Sequence, residues 1–249
     1  MRSGVRTGVR SRESEPPARP FVFINMSMTA DGKIASSNRA VSSFSSRRDH
    51  DHLLALRATA DAVMAGARTV DLNAINLGPG PVRYHRRRLN SGRAEYNLRI
   101  IVSGSGSLDP GAEIFKHRFS PIIVLTTARA SQARLNALRA VSDAVRICGR
   151  SRINWPATLR WLRKKWNVQR LLCEGGGELN DALFRAGLVD ELHLTICPKI
   201  IGGRNAPSIS DGTGAAALNG AVALRLTSLK RTGAELFAVF AVVRPAALK

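Results

Sequence analysis

The amino-acid sequence predicts a single three-layer α/β domain with a mostly parallel central sheet and antiparallel strands at its C-terminal end. Three features carry that expectation. Short β-branched and aromatic runs alternate with stretches of helical spacing. A glycine run joins one strand directly to a helix. The last two strand-like runs flank a Thr232-Gly233 turn. Alternating strands and helices imply βαβ units with right-handed crossovers, and a closing hairpin adds antiparallel pairing.

Residues 1–20 read as a disordered basic tail, with five arginines, two glutamates and no apolar periodicity; residues 21–249 form the domain. It opens with Phe21-Val22-Phe23-Ile24-Asn25-Met26, a buried strand by composition, and Thr29-Ala30-Asp31-Gly32-Lys33 breaks it as a polar turn. Residues 49–59 suit a short helix, and 60–65 a second strand ending at Gly66. A third strand spans 98–102, a fourth 121–126, a helix 131–141 and a fifth strand 145–148. The stretch between Asn73 and Asn97 reads as a loop too long for an ordinary connection. Asn154 before Trp155-Pro156 reads as a helix N-cap, with proline in the first turn. Residues 169–173 form a strand that Glu174-Gly175-Gly176-Gly177 joins to a helix over 178–186. Residues 190–197 alternate, with Leu192, Leu194 and Ile196 on one face and Glu191, His193 and Thr195 on the other; runs at 223–229 and 236–243 complete the sheet.

Composition excludes several classes. The longest uninterrupted apolar run, 236–243, is far short of the ~20 residues of a membrane span. Cys148, Cys173 and Cys197 form no C-x-x-C and no disulfide framework, which favours a reducing, cytoplasmic setting. The chain carries 38 basic against 18 acidic residues, a formal charge of +20. Such a field attracts phosphates of any kind. The arginines are spread along the whole chain, with one dense patch from Arg83 to Arg93, and aromatic residues make up only 5%. Without a stacking platform, the charge argues for small phosphorylated anions rather than nucleic acid.

Strand–Glu174-Gly175-Gly176-Gly177–helix is the strongest local motif. Glycines permit close backbone approach and positive φ, and the N–H groups and dipole at a helix start favour an anion. The alternative is a tight βα turn packed closely for steric reasons. The loop is neither a Walker A sequence nor G-x-G-x-x-G. Asp49-His50-Asp51-His52 has ligand-type side chains, but His50 and His52 fall on different helix faces, and the segment reads as a solvated helix start with no metal.

Several blocks, in order, resemble the riboflavin-biosynthesis pyrimidine reductases, meaning the reductase domain of bifunctional bacterial RibD and its stand-alone relatives. They are Asn25-Met26-Ser27-Met28-Thr29-Ala30-Asp31-Gly32-Lys33, Leu56-Arg57-Ala58 with Asp61-Ala62-Val63-Met64-Ala65-Gly66-Ala67-Arg68-Thr69-Val70, and Leu98-Arg99-Ile100-Ile101-Val102-Ser103. They continue with Leu171-Leu172-Cys173-Glu174-Gly175-Gly176-Gly177-Glu178-Leu179-Asn180, Gly187-Leu188-Val189-Asp190-Glu191-Leu192 and Pro198-Lys199-Ile200-Ile201-Gly202-Gly203. The resemblance implies a dihydrofolate-reductase-like fold, NADPH as cofactor and a homodimer. It also implies reduction of the ribosylamino side chain of a pyrimidine 5′-phosphate to the ribitylamino form.

On this resemblance Gly175, Gly176, Gly177 and Glu178 bind the cofactor, with Thr69 and the position of Asn73. Asp31, Ser45, Arg57 and Glu174 fall on the substrate side, and Asp31 or Lys33 is a candidate proton donor. The sequence departs from the pattern at Asn73-Ala74-Ile75, where Asp-Asp-Pro is usual, and at Ser103, where aspartate is common. The stretch from Leu77 through the Arg83–Arg93 cluster has no counterpart. The alternatives are a reductase of another ring, such as a pterin or dihydrofolate, and a non-catalytic nucleotide-binding paralogue.

Overall fold

In the computed structural model, residues 18–39 and 44–243 are described. The expected tail therefore lies outside the described residues up to position 17. Just inside the described residues, Arg19 donates two hydrogen bonds (2.8 and 2.9 Å) to the Asp190 carboxylate.

Nine strands form one sheet in the order β5-β4-β3-β2-β6-β1-β7-β9-β8. The strands are β1 (Phe21–Thr29), β2 (Ala62–Gly66), β3 (Leu98–Val102), β4 (Ile122–Thr126), β5 (Ala144–Ile147), β6 (Arg170–Cys173), β7 (Glu191–Cys197), β8 (Leu224–Thr232) and β9 (Glu235–Val242). Pairing is parallel from β5 through β7, whereas β9 runs antiparallel to both β7 and β8. The expected sheet is present, with its antiparallel end at the C-terminus.

Alternation along the strands builds two cores. Val22, Ile24, Met64, Ile100, Leu125 and Leu171 point to one face, covered by α6 (Trp155–Trp166) through Leu159 and Leu162 and by α7 (Gly177–Arg185) through Leu179 and Leu183. Phe23, Val63, Ile101, Val124 and Leu172 point to the other. There Leu53 and Leu56 of α1 (Arg47–Arg57), Val70 of α2 (Ala67–Leu72), Ile114 of α4 (Glu113–Lys116) and Leu138 of α5 (Gln132–Val141) pack on them.

Local signals set the helix starts. Ser46 accepts from the N–H groups of Arg48 and Asp49 at the head of α1, and Asn154 accepts from Ala157 N–H at the head of α6. α6 ends where Asn167 adopts φ +51°, the left-handed geometry asparagine tolerates. The long stretch after Asn73 is not a bare loop; it contains α3 (Val82–Asn90). Its sequence carries no apolar stripe, because it docks through one aromatic residue, Tyr84 against Leu54 and Ala58, and through one cation. Arg88, 1% exposed, donates to the carbonyls of Arg57, Ala60 and Ala94. The Arg83–Arg93 cluster is therefore no continuous basic surface, since Arg83 also pairs with Asp51 and Arg93 with Asp61.

The helix start 49–52 differs likewise: Asp49 is buried rather than solvated, and His52 packs edge-on to Phe237 and against His193. Among the described residues no cluster of three or more His, Cys, Asp or Glu is placed to hold a metal, and no helix is long and apolar enough to cross a membrane.

Candidate active site

A cavity of about 1410 Å³ opens at the carboxyl ends of the parallel strands, the place where open α/β sheets present ligand crevices. Its walls come from the ends of β1 (Asn25, Met26, Ser27), β2 (Gly66) and β3 (Val102, Ser103), from one face of α1 and from the glycine loop after β6.

On α1, Asp49, Leu53 and Arg57 follow at four-residue spacing and share the face that lines the cavity. Arg57 donates from Nε and Nη2 to the two oxygens of Glu174 at 2.6 and 2.7 Å, and from Nη1 to the carbonyl of Gly78 at 2.8 Å. Both side chains of this pair are about nine-tenths buried. A two-pronged, desolvated ion pair of this kind fixes both partners, so Glu174 stands rigidly where β6 gives way to the glycines.

Two of the three glycines, Gly175 and Gly177, are required by space. Gly175 has φ +82°, and a Cβ there would lie 2.8 Å from Met26 Sδ. The same loop is stitched to β2, with Gly66 N–H donating to Gly175 O and Glu174 N–H to Met64 O, both at 2.8 Å. Gly176 caps α7 without any side-chain hydrogen bond, so the first-turn amides of α7 keep their capacity for an anion. A Cβ on Gly177 would meet Ser208 O at 2.6 Å, whereas one on Gly176 would project toward Thr69 Oγ1 at 3.6 Å. Thr69 is carried by α2, and Asn73 Nδ2 donates to its carbonyl at 2.7 Å. Beyond this cradle the cavity is lined by hydroxyls and a cation: Ser103, Ser105, Ser107, Thr127, Ser151 and Arg152.

Of the residues expected from sequence, Ser45, Arg57, Thr69, Asn73, Glu174, Gly176, Gly177 and Glu178 all line this one cavity, and Gly175 lies between two of them. Asp31 and Lys33 do not. The Asp31 carboxylate accepts from Thr29 Oγ1, Ile201 N–H and Gly202 N–H at 2.5, 3.2 and 2.7 Å. These bonds, with the threonine hydroxyl foremost, hold its pKa down at about 2, so it carries no proton to give near neutrality. Lys33 Nζ donates to the Ala206 carbonyl at 3.0 Å. Both tie the turn after β1 to the segment following β7, which is a structural task. Sequence reasoning read Asp49 as part of a solvated helix start and did not single out Ser105, Ser107 or Arg152. Their spacing carries no motif, and only the fold gathers them.

The family model described as the RibD C-terminal domain matches residues 20–238. The chain is 30% identical over 194 residues to the 2,5-diamino-6-ribosylamino-4(3H)-pyrimidinone 5′-phosphate reductase of Archaeoglobus fulgidus, covering 78% of this chain and 87% of that one. It is 30% identical over 224 residues to the protein of the same name from Methanothermobacter thermautotrophicus, covering 90% and 99%. Among solved structures, a pyrimidine reductase-like protein from Corynebacterium diphtheriae superposes with a TM-score of 0.76 at 23% identity, over 91% of this chain and 93% of that one. The riboflavin biosynthesis reductase Rib7 of Saccharomyces cerevisiae superposes with a TM-score of 0.65 at 16% identity, over 93% of each. These two likenesses bear on the fold, and the match over nearly the whole described chain bears on descent: the chain belongs to the RibD C-terminal domain family.

Proposed function

We propose that the protein is a nicotinamide-dependent oxidoreductase that reduces the ribosylamino side chain of a pyrimidine 5′-phosphate to the ribitylamino form in riboflavin biosynthesis. The observation that carries this reading is the single cavity in which the glycine cradle at the start of α7 adjoins the buried Arg57–Glu174 pair. An anion-binding helix start beside a fixed carboxylate serves a dinucleotide and a polar ring side by side. The naming of the relatives as pyrimidine 5′-phosphate reductases supports the substrate class.

The residues present fit such a cofactor. Gly176 leaves open space that a Cβ would fill, and Thr69 Oγ1 borders it. Glu178 and Asn73 complete that wall, with Gly175 in the loop between Glu174 and Gly176. Hydride from the reduced nicotinamide is the chemistry this cofactor class supplies; the protein's part is binding, orientation and electrostatics. The finer choice of NADPH is favoured by Arg152 among the serines at the far end, a cation in a hydroxyl-rich pocket that suits an additional phosphate. Ser45, Arg57 and Glu174 form the substrate side. Asp31 supports that side indirectly, by holding Ile201 and Gly202.

Purified protein mixed with NADPH and the upstream pyrimidine, generated in place from GTP, tests the reading. Loss of nicotinamide absorbance only when the pyrimidine is present is the expected result. Binding of NADPH without oxidation in any pyrimidine mixture would overturn the substrate assignment, and absence of NADPH binding would overturn the cofactor.

We further propose a homodimer. Strand β8 forms the edge of the sheet and exposes Leu226 (49%) and Leu229 (58%). The register shift between Leu226 and Ser228 keeps Leu224, Leu226 and Leu229 opposite Val242, Phe240 and Ala238, so they share one face. A long apolar edge of this kind calls for a covering partner.

A further inference from the structure

The two sides of the cavity differ in charge. Its carboxylates, Asp49, Asp71, Glu174, Glu178 and Asp211, stand on α1, α2, the glycine loop with α7, and the segment after β7. On that side Arg57 is answered by Glu174, Arg68 by Glu178 and Arg185 by Asp181. The opposite rim is built by three loops, 103–107 after β3, 127–131 after β4 and 148–154 after β5, and none carries an acid. They are tied into one frame, since Thr127 Oγ1 donates to Gly104 O at 2.6 Å and Ala128 N–H to Gly149 O at 2.9 Å. On this frame stand Arg129, Arg150 and Arg152, all exposed. The one acid of residues 127–169, Asp143, lies at the other end of β5 and pairs with Arg118. Arg152 lines the cavity, whereas Arg129 and Arg150 do not. Among the described residues neither of these two guanidinium groups makes a hydrogen bond or an ion pair.

We infer that Arg129 and Arg150 are steering residues: they speed the arrival of the phosphate-bearing dinucleotide at the cavity without holding it once bound. The inference rests on the nicotinamide-cofactor reading and deepens it. An unpaired surface arginine is ordinary in a chain of charge +20. A cavity with cations alone on one rim and paired charges on the other is not, because only the first sends a net field into solvent. A cleft lined by one sign of charge raises the encounter rate of an opposite ion by roughly ten- to a thousandfold, and salt abolishes the gain. A multiply charged anion is therefore drawn to the loops after β3, β4 and β5 rather than to the Glu174 wall. Encounters begin with its phosphates at the end where Arg152 lines the cavity.

The test is stopped-flow binding of NADPH, giving kon and koff separately, across a range of salt. Wild type is compared with Arg129→Glu combined with Arg150→Glu, and with a control of equal charge change, Lys164→Glu combined with Lys165→Glu. Helix α6 starts at the cavity with Trp155 and carries the two exposed lysines in its last turn. At 1.5 Å per residue they lie roughly 14 Å further on, beyond the Debye length of about 10 Å at 0.1 M salt. The rim pair should lower kon about fivefold at 0.1 M salt and less than about twofold at 1 M, with koff unchanged. The lysine pair should leave kon within about twofold of wild type at both. Equal loss of kon in the two pairs would make the effect one of net charge, and a raised koff with kon intact would make these arginines contacts. Either result overturns the inference and leaves cofactor binding standing, as does a wild-type kon indifferent to salt. Absence of NADPH binding by wild type would instead sink the cofactor reading on which the inference rests.

Discussion

Arg57 joins three parts of the molecule through one side chain: α1 that carries it, Glu174 after β6 and the carbonyl of Gly78. Arg57→Ala would leave a buried carboxylate and a carbonyl unpaired, and we expect a loss of about 3–5 kcal/mol in denaturant unfolding. Arg57→Lys keeps the charge without the planar fork and should recover only part of it. The neighbouring glycines separate space from conformation. Gly177→Ala drives its Cβ into the Ser208 carbonyl at 2.6 Å and should destabilise the apo protein. Gly176, with φ −73° and open space up to Thr69, should accept alanine within about 1 kcal/mol of wild-type stability while weakening NADPH binding, read as a raised Kd. Arg57, Glu174 and the glycines were legible in the sequence because they sit in contiguous blocks. Asp31 was legible as a polar residue after a strand but not as a staple, because its donors, Ile201 and Gly202, lie in a segment far along the chain.

Among the elements, α3 shows where pattern reading fails. Its sequence Val82-Arg83-Tyr84-His85-Arg86-Arg87-Arg88-Leu89-Asn90 lacks an apolar stripe, and its anchor is an arginine whose burial lowers the pKa to about 10, still protonated at neutral pH. Arg88→Ala would orphan the carbonyls of Ala60 and Ala94 and leave that of Arg57 only the Ala60 N–H, and a loss of about 3 kcal/mol or more is expected in thermal or denaturant unfolding. The contact of α1 with β7 and β9 makes a second case. Burial first, and the neighbouring His193 next, push the His52 pKa below its ordinary 6.5, against an opposing pull from Asp49. Glu191, whose Oε1 lies 2.6 Å from His193 Nε2, and Phe237 complete the surroundings. The folded state therefore binds the His52 proton less well than the unfolded state does. Its stabilisation is whole above pH 6.5 and drains away as pH falls through the lowered folded value. Melting curves should show a decline beginning below pH 6.5 that is shallower in His52→Phe.

For the whole molecule, the sheet and its two cores were legible because strand runs and helix caps are local signals. The order of the strands was not, because it depends on pairings such as Phe23 with Leu172 and Asn25 with His193. The charge of +20 was legible as a number and misleading as a patch: several of its arginines are spent inside the fold, Arg88 on carbonyls and Arg99 over the ring of Phe119. If β8 is the face at which two copies meet, Leu226→Arg should halve the mass measured by light scattering and leave the individual fold intact by circular dichroism.

The placing of β1 between β6 and β7 bears on how the chain is born. Among the described strands β1 is made first; it is apolar on both faces, and both of its edges stay open until partners from the last third of the chain are made. At usual translation speeds that interval lasts roughly ten to thirty seconds, during which Phe21-Val22-Phe23-Ile24 is a sticky template for any neighbouring nascent chain. Yield in the cell should therefore respond to holding chaperones and to slower crowding of ribosomes on the message. A chain cut short before residue 170 should accumulate as insoluble aggregate rather than as half a domain.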